Sequence, residues 1–202
     1  MLIPIMNIVQ RLSQEVSALK NPPITRASIL KTCRELVAEG GPEAVSMRSV
    51  AQRRQIALGS IYNYFSSKDE LVLAAIESVW QDIFQQAPSR EHQSFVRHVQ
   101  WLFDSLRAGI QAYPNFFTAH AFVFVADEKA AARDTMRRFF SQMKQGLLAS
   151  LQGDAALRPD AFSDSFTREQ AADFVLSNLQ PSRLRQQASC DVLLEFIRRA
   201  LY

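Results

Sequence analysis

A chain of 202 residues with 48% hydrophobic side chains can bury a core in one or two modest domains. Few glycines and prolines and almost no β-branched alternation argue against a sheet protein, and no apolar run approaches the ~20 residues of a membrane span. The net charge is only +3, and Cys33 and Cys190 lie too far apart for a metal or redox motif, which implies buried thiols in a reducing cytoplasm.

The opening MLIPIMNIVQRL is apolar but has neither a basic leader nor a small-residue cleavage site. Three readings remain for residues 1–22: an extra amphipathic helix, an extension ahead of the first main helix, or a start codon placed too far upstream. Thr25 can cap a helix to about Glu39, with Ile29, Leu30, Cys33, Leu36 and Val37 on one face, stopped by Gly40-Gly41-Pro42. Ser46 can cap a second helix, Met47–Arg53, turning Val50 and Ala51 inward. After a break at 55–57 comes Leu58–Phe65, with Ile61 and Phe65 four apart on its buried face. Ser60, Tyr62, Asn63 and Tyr64 lie opposite, hydroxyls and an amide suited to phosphates and base edges. Two short helices joined by a tight turn are a device for laying one helix in the major groove of DNA.

Ser67 can cap a long helix from Lys68, carrying Leu71, Ala75, Ile76, Val79, Trp80 and Ile83 at helical spacing and closed by Pro88. The body helix expected from about Arg90 to Tyr113 has a stripe of Phe95, Val99, Leu102, Phe103, Leu106 and Ile110, ended by Pro114. Asn115–Val125 reads as a short, very apolar helix and Asp127–Leu151 as a long one. Gly153–Ser165 is a loop, Thr167 caps a helix to about Leu179, and Arg183–Leu201 is the last.

Charge favours the N-terminal part as the one that meets phosphate. From Lys20 to Lys68 eight basic residues stand against three acidic ones, whereas from Gln81 onward the signs nearly balance. The two final helices have apolar faces wider than one contact needs: Ala171, Ala172, Phe174, Val175, Leu176 and Leu179, then Val192, Leu193, Phe196, Ile197, Ala200 and Leu201. The surplus points to a second partner surface. No catalytic or metal-binding constellation is found: the histidines His92, His98 and His120 have no i,i+4 pairing, and no HExxH, GxSxG, GxGxxG or P-loop occurs. The expectation is neither an enzyme nor a cofactor or metal protein.

The run Gly59-Ser60-Ile61-Tyr62-Asn63-Tyr64-Phe65, followed by Ser66-Ser67-Lys68 and Leu71, resembles the tetracycline-repressor (TetR) family, with Ser46, Val50-Ala51 and Ile56 at matching upstream positions. The likeness covers about a quarter of the chain, from Thr25 to Trp80. It implies an all-α protein: a three-helix DNA-binding head at 23–70 joined to a helical effector-binding and dimerisation body at 71–202. It further implies DNA contacts at Ser46, Arg48, Leu58, Gly59, Ser60, Tyr62, Asn63, Tyr64 and Lys68. An effector pocket is implied among the central helices, at Trp101, Phe117, His120, Phe124, Met136, Phe140 and Met143. Dimer contacts follow at Phe174, Val175, Leu193, Phe196, Ile197 and Leu201.

The expected partners are double-stranded DNA, a second copy of the chain and a small apolar or aromatic effector, with no membrane. The expected function is a cytoplasmic, ligand-responsive repressor. Alternatives are a helical dimeric module, binding a small molecule or a protein, that has lost DNA binding, or an activator. Arg54 and Gln55 depart from the family's small Ala and Gly at the turn. Gln55 costs about 1 kcal/mol if the turn needs a positive φ, and Arg54 is expected to bend outward to solvent or a phosphate.

Overall fold

The computed structural model describes residues 23–86, 94–117, 130–180, 184 and 188–202. These residues form eight α-helices, and their one β feature is an isolated bridge between Ser163 and Phe166. In the head, α1 is Arg26–Gly40, α2 is Met47–Arg54 and α3 is Leu58–Tyr62, with a 3-10 turn at Pro42–Ala44. The linking helix α4 is Lys68–Gln86. The body holds α5 (Phe95–Ala112), α6 (Ala130–Gly153), α7 (Arg168–Asn178) and α8 (Asp191–Leu201).

The two longer head helices start by the same device. The Thr25 hydroxyl accepts from the Ser28 amide at 3.1 Å while the Ser28 hydroxyl accepts from the Thr25 amide at 2.9 Å. Ser46 and Ser49 repeat the exchange at 3.0 and 2.9 Å. Each reciprocal pair satisfies two amides that the first helical turn leaves open. The apolar positions then close one core: Ile29, Cys33 and Val37 of α1, Val50 of α2, Ile61 and Phe65 beyond the turn, and Leu71 of α4 are all buried. Burial pushes the Cys33 thiol up to about 12, which keeps it neutral and unreactive.

The linking helix packs on α1 at one end and on α5 and α6 at the other. Its buried stripe runs from Leu71 through Ala75, Ile76, Val79 and Trp80 to Ile83. In the body, α5 buries Phe95, Val99, Leu102, Phe103 and Leu106, and α6 answers with Met143, Leu147 and Leu151. A buried carboxylate ties the far end: Asp154 accepts from the Phe95 amide at 2.8 Å, the Ala156 amide at 3.0 Å and the Tyr202 hydroxyl.

Several element boundaries differ from the sequence expectation. The reader helix α3 ends at Tyr62 rather than Phe65, because Asn63 and Tyr64 form a turn whose amides at Tyr64 and Phe65 both point to the Ile61 carbonyl. Residues 114–117 form turns rather than the start of a helix, and the remainder of the expected Asn115–Val125 segment lies outside the described residues. The body helix begins at Phe95, capped by Ser94. The final helix described begins at Asp191: residues 188–190 leave helical geometry, and the Ala188 carbonyl accepts from the Arg107 guanidinium. Of the earlier part of the expected Arg183–Leu201 segment, Leu184 is helical, while 183 and 185–187 lie outside the described residues. Thr167 caps α7 as expected, exchanging hydrogen bonds with Gln170.

Candidate nucleic-acid interface

The turn between α2 and α3 does need a left-handed residue. Gln55 has φ 55° and ψ 43°, and among the described residues it is the one non-glycine with positive φ. The Ile56 amide closes back on the Ala51 carbonyl at 3.0 Å, the wrap that terminates many helices. Arg54 corrects the sequence expectation. Its guanidinium bends inward, donating to the Ser28 carbonyl at 3.0 Å and approaching the Thr32 hydroxyl at 3.4 Å. It locks α2 to α1.

Four other polar groups build the same frame. Arg26 donates to the Tyr64 carbonyl at 3.1 Å, stacks over the Phe65 ring at 4.4 Å and faces Glu70 at 3.6 Å. The Tyr64 hydroxyl donates to the Ile24 carbonyl at 2.6 Å, so its proton is held within the head. Ser46, likewise, is a helix cap. Arg53 grips Glu39 through two hydrogen bonds of 2.8 and 2.6 Å, which hold the Glu39 carboxyl below its ordinary range. Glu70 is lowered too, by the Ser66 amide and hydroxyl first and Arg26 after them.

What remains is a compact outward set. Tyr62 is 53% exposed and Leu58 38%, and Gly59 and Asn63 are exposed beside them. Ser60 is half-buried on the same short helix. Arg48 on the first turn of α2 and Lys68 at the start of α4 are exposed and enter no ion pair among the described residues. Of the seven described basic residues between Arg26 and Lys68, four are engaged inside the protein, so the charge facing outward is smaller than the sequence suggests: Lys31, Arg48 and Lys68. Sequence patterning missed Arg26 and Arg54 as builders of the frame, because their partners lie 22 to 38 residues away.

In the body, two of the expected pocket residues, Phe117 and Phe140, meet Trp80, which was not among them. Trp80 stacks with Phe139 at 5.4 Å and meets Phe117 at 5.6 Å, Phe116 at 5.7 Å and Phe140 at 6.4 Å. Phe84 joins Trp80 to Trp101, at 6.0 and 5.6 Å. Phe117 and Met143 are buried, Trp101 is half-buried and Phe140 is 38% exposed. His120, Phe124 and the Met136 side chain lie outside the described residues.

The apolar faces of α7 and α8 divide unequally. Val175, Ile197 and Leu201 are buried inside the chain's own core. Leu193 is half-buried. The exposed residues are Phe174 at 44%, Phe196 at 56% and Val192 at 86%, with the Phe174 and Phe196 rings 5.4 Å apart. Val192 and Phe196 lie four apart, the spacing that puts them on one helical face.

A three-helix head presenting one short helix, on a helical body, is the architecture of a DNA-binding transcriptional regulator. Residues 29–75 match the family model of the bacterial regulatory proteins of the tetR family. It is 27% identical over 169 residues to the HTH-type transcriptional repressor KstR of Rhodococcus jostii (strain RHA1), covering 83% of this chain and 76% of that protein. It is 25% identical to KstR of Mycolicibacterium smegmatis, covering 83% and 80%. A solved TetR-family regulator from Vibrio parahaemolyticus shares the fold with a TM-score of 0.56 at 18% identity, over 87% of this chain and 97% of that one.

Proposed function

We propose that the chain is a cytoplasmic repressor that binds a roughly palindromic operator as a homodimer and leaves it when a small apolar or aromatic molecule enters the body. The observation that carries this reading is the division of polar groups in the head. Arg26, Arg34, Arg53, Arg54, Ser46 and Tyr64 have partners inside the protein, while Arg48, Tyr62, Asn63 and Lys68 are exposed to solvent. The first group sets the angle of the second. Arg48 and Lys68 meet phosphates, Tyr62 adds a hydroxyl to the backbone, and Leu58 and Asn63 lie nearest the base edges.

Copies join through Phe174, Val192 and Phe196, and a two-fold dimer of such heads spans successive major grooves about 34–36 Å apart. The aromatic cluster centred on Trp80 of the linking helix is where an apolar effector favours one head position over another. The relatives named as repressors support the sign of regulation. Against the rival reading of a module that has lost DNA binding, Arg54 and Gln55, the residues that suggested it, still build the tight turn.

Selection of a random duplex library on the purified protein at moderate salt tests the reading. The expected product is a palindrome with half-sites about one helical turn apart. A folded, dimeric protein that enriches no sequence would favour the non-DNA module instead.

A further inference from the structure

The corner where head meets body contains a contact that neither the helix-turn-helix nor the aromatic cluster requires. The final carbonyls of an α-helix have no partner within the helix. Those of Ala38 and Glu39, in the last turn of α1, are met by the side-chain amide of Asn115, whose Nδ2 donates at 3.2 and 2.8 Å. A residue of the body therefore caps the first helix of the head. The seat is shaped to receive it: Gly41 has φ 77°, and a Cβ there would come within 3.2 Å of the Asn115 main-chain oxygen. A bare Cα lets the two turns touch.

Asn115 belongs to the short turn 113–117, and its neighbours reach in both directions. The Tyr113 hydroxyl donates to Asp82 at 2.7 Å, Asp82 faces Arg34 of α1 at 3.6 Å, and Arg34 reaches Ser78 at 2.5 Å. On the other side, Phe116 and Phe117 set their rings edge-on to Trp80. Five consecutive residues thus hold the head through Tyr113 and Asn115 and line the aromatic cluster through Phe116 and Phe117. A molecule that shifts the backbone of the turn at either phenylalanine also shifts Asn115, because the three are consecutive in the chain.

We propose that Asn115 is a positioning residue for DNA recognition: it fixes the head on the body at the angle that sets half-site spacing, and it is the point at which a change among Phe116, Phe117 and Trp80 releases that angle. The stability of α1 rests elsewhere, on buried Ile29, Cys33, Leu36 and Val37. Two exposed or half-buried amide bonds add little to it, but they restrain a rotation that α4 alone leaves open. The DNA consequence rests on the dimeric operator reading above; the restraint itself does not.

Two measurements separate the restraint from its consequence. Spin labels at Lys31→Cys in α1 and Asp104→Cys in α5, in full-length protein diluted with unlabelled copies, report the head-to-body distance; both native thiols are buried and stay unlabelled. Asn115→Ala and the isosteric non-donor Asn115→Asp are expected to broaden or shift a narrow distribution while the melting temperature changes by no more than a few degrees. In the same variants, affinity for operators with half-sites moved by one base pair should fall about threefold instead of about tenfold, because a loose head is no longer pre-set for one spacing. Distributions that superimpose on the unsubstituted protein would overturn the proposal. Absence of any spacing preference before substitution would count against the dimeric operator reading, and the distance measurement would still decide the role of Asn115.

Discussion

The head and the end of the body handle exposed side chains in opposite ways. In the head, polar groups that could have faced DNA are bound into the framework, and the outward set is small and polar around Tyr62, Asn63, Arg48 and Lys68. On α7 and α8 the outward set is apolar, and large rings stand in solvent with no framework role beyond their mutual contact. A surface that reads DNA needs precise placement and little area, whereas a surface that joins two copies needs area and tolerates adjustment.

The largest effect expected from breaking this contrast is in the head core. Phe65→Ala removes a ring that is 1% exposed and sits under Arg26, and should cost about 3–5 kcal/mol, abolishing DNA binding while sedimentation still shows a dimer. Loss of the dimer as well would mean that head and body do not behave as separable parts.

Next comes the buried tie of the body. Burial raises the Asp154 carboxyl, but the Tyr202 hydroxyl and the amides of Phe95 and Ala156 outweigh it and leave the group below its ordinary range. Because the folded value lies below the unfolded one, the contribution is complete above the ordinary carboxylate range and fades as pH falls through the lowered folded value. Asp154→Asn should cost about 2–3 kcal/mol near neutrality and flatten the acid limb of a stability–pH curve. An unchanged acid limb would exclude Asp154 as its source.

In the outward polar set, Lys68→Ala should weaken binding to all sequences alike and reduce the slope of log affinity against log salt by about 0.9 per subunit. An unaltered slope would remove Lys68 from the interface. The smallest effects come from two residues four apart, at the turn and at the start of the reader helix. Gln55→Gly relieves a left-handed backbone and should stabilise by about 1 kcal/mol with DNA affinity unchanged. At Gly59 a Cβ would meet nothing within 4 Å, so Gly59→Ala should stabilise the free protein slightly yet weaken DNA binding, because the bare backbone leaves room for the duplex. Equal or better binding by Gly59→Ala would mean that DNA does not approach that closely.

The parts of this architecture set by local chemistry were readable in sequence. Thr25, Ser46, Ser67 and Thr167 cap the helices that follow them, and the inward faces of α1, α2 and α4 follow helical spacing. What was not readable depends on distant partners. Arg54 looked solvent-bound until the Ser28 carbonyl stood beside it, and Tyr64 looked like a phosphate ligand until Ile24 took its proton. Spacing marks Val175 and Ile197 as apolar but cannot say that this chain's own core takes them, leaving Phe174, Val192 and Phe196 outside. Trp80 reads as packing on a linking helix, and its place at the centre of the aromatic cluster emerges only when the 113–117 turn and α6 close around it.

Dimeric operator recognition is tested most directly by an anisotropy titration of the selected palindrome and of its single half-site, using the unsubstituted protein and Phe196→Asp. The unsubstituted protein should bind the full site at least about 100-fold more tightly than the half-site, while the variant, folded but monomeric, should bind both alike. Equal affinity of the unsubstituted protein for full and half sites would contradict dimeric recognition.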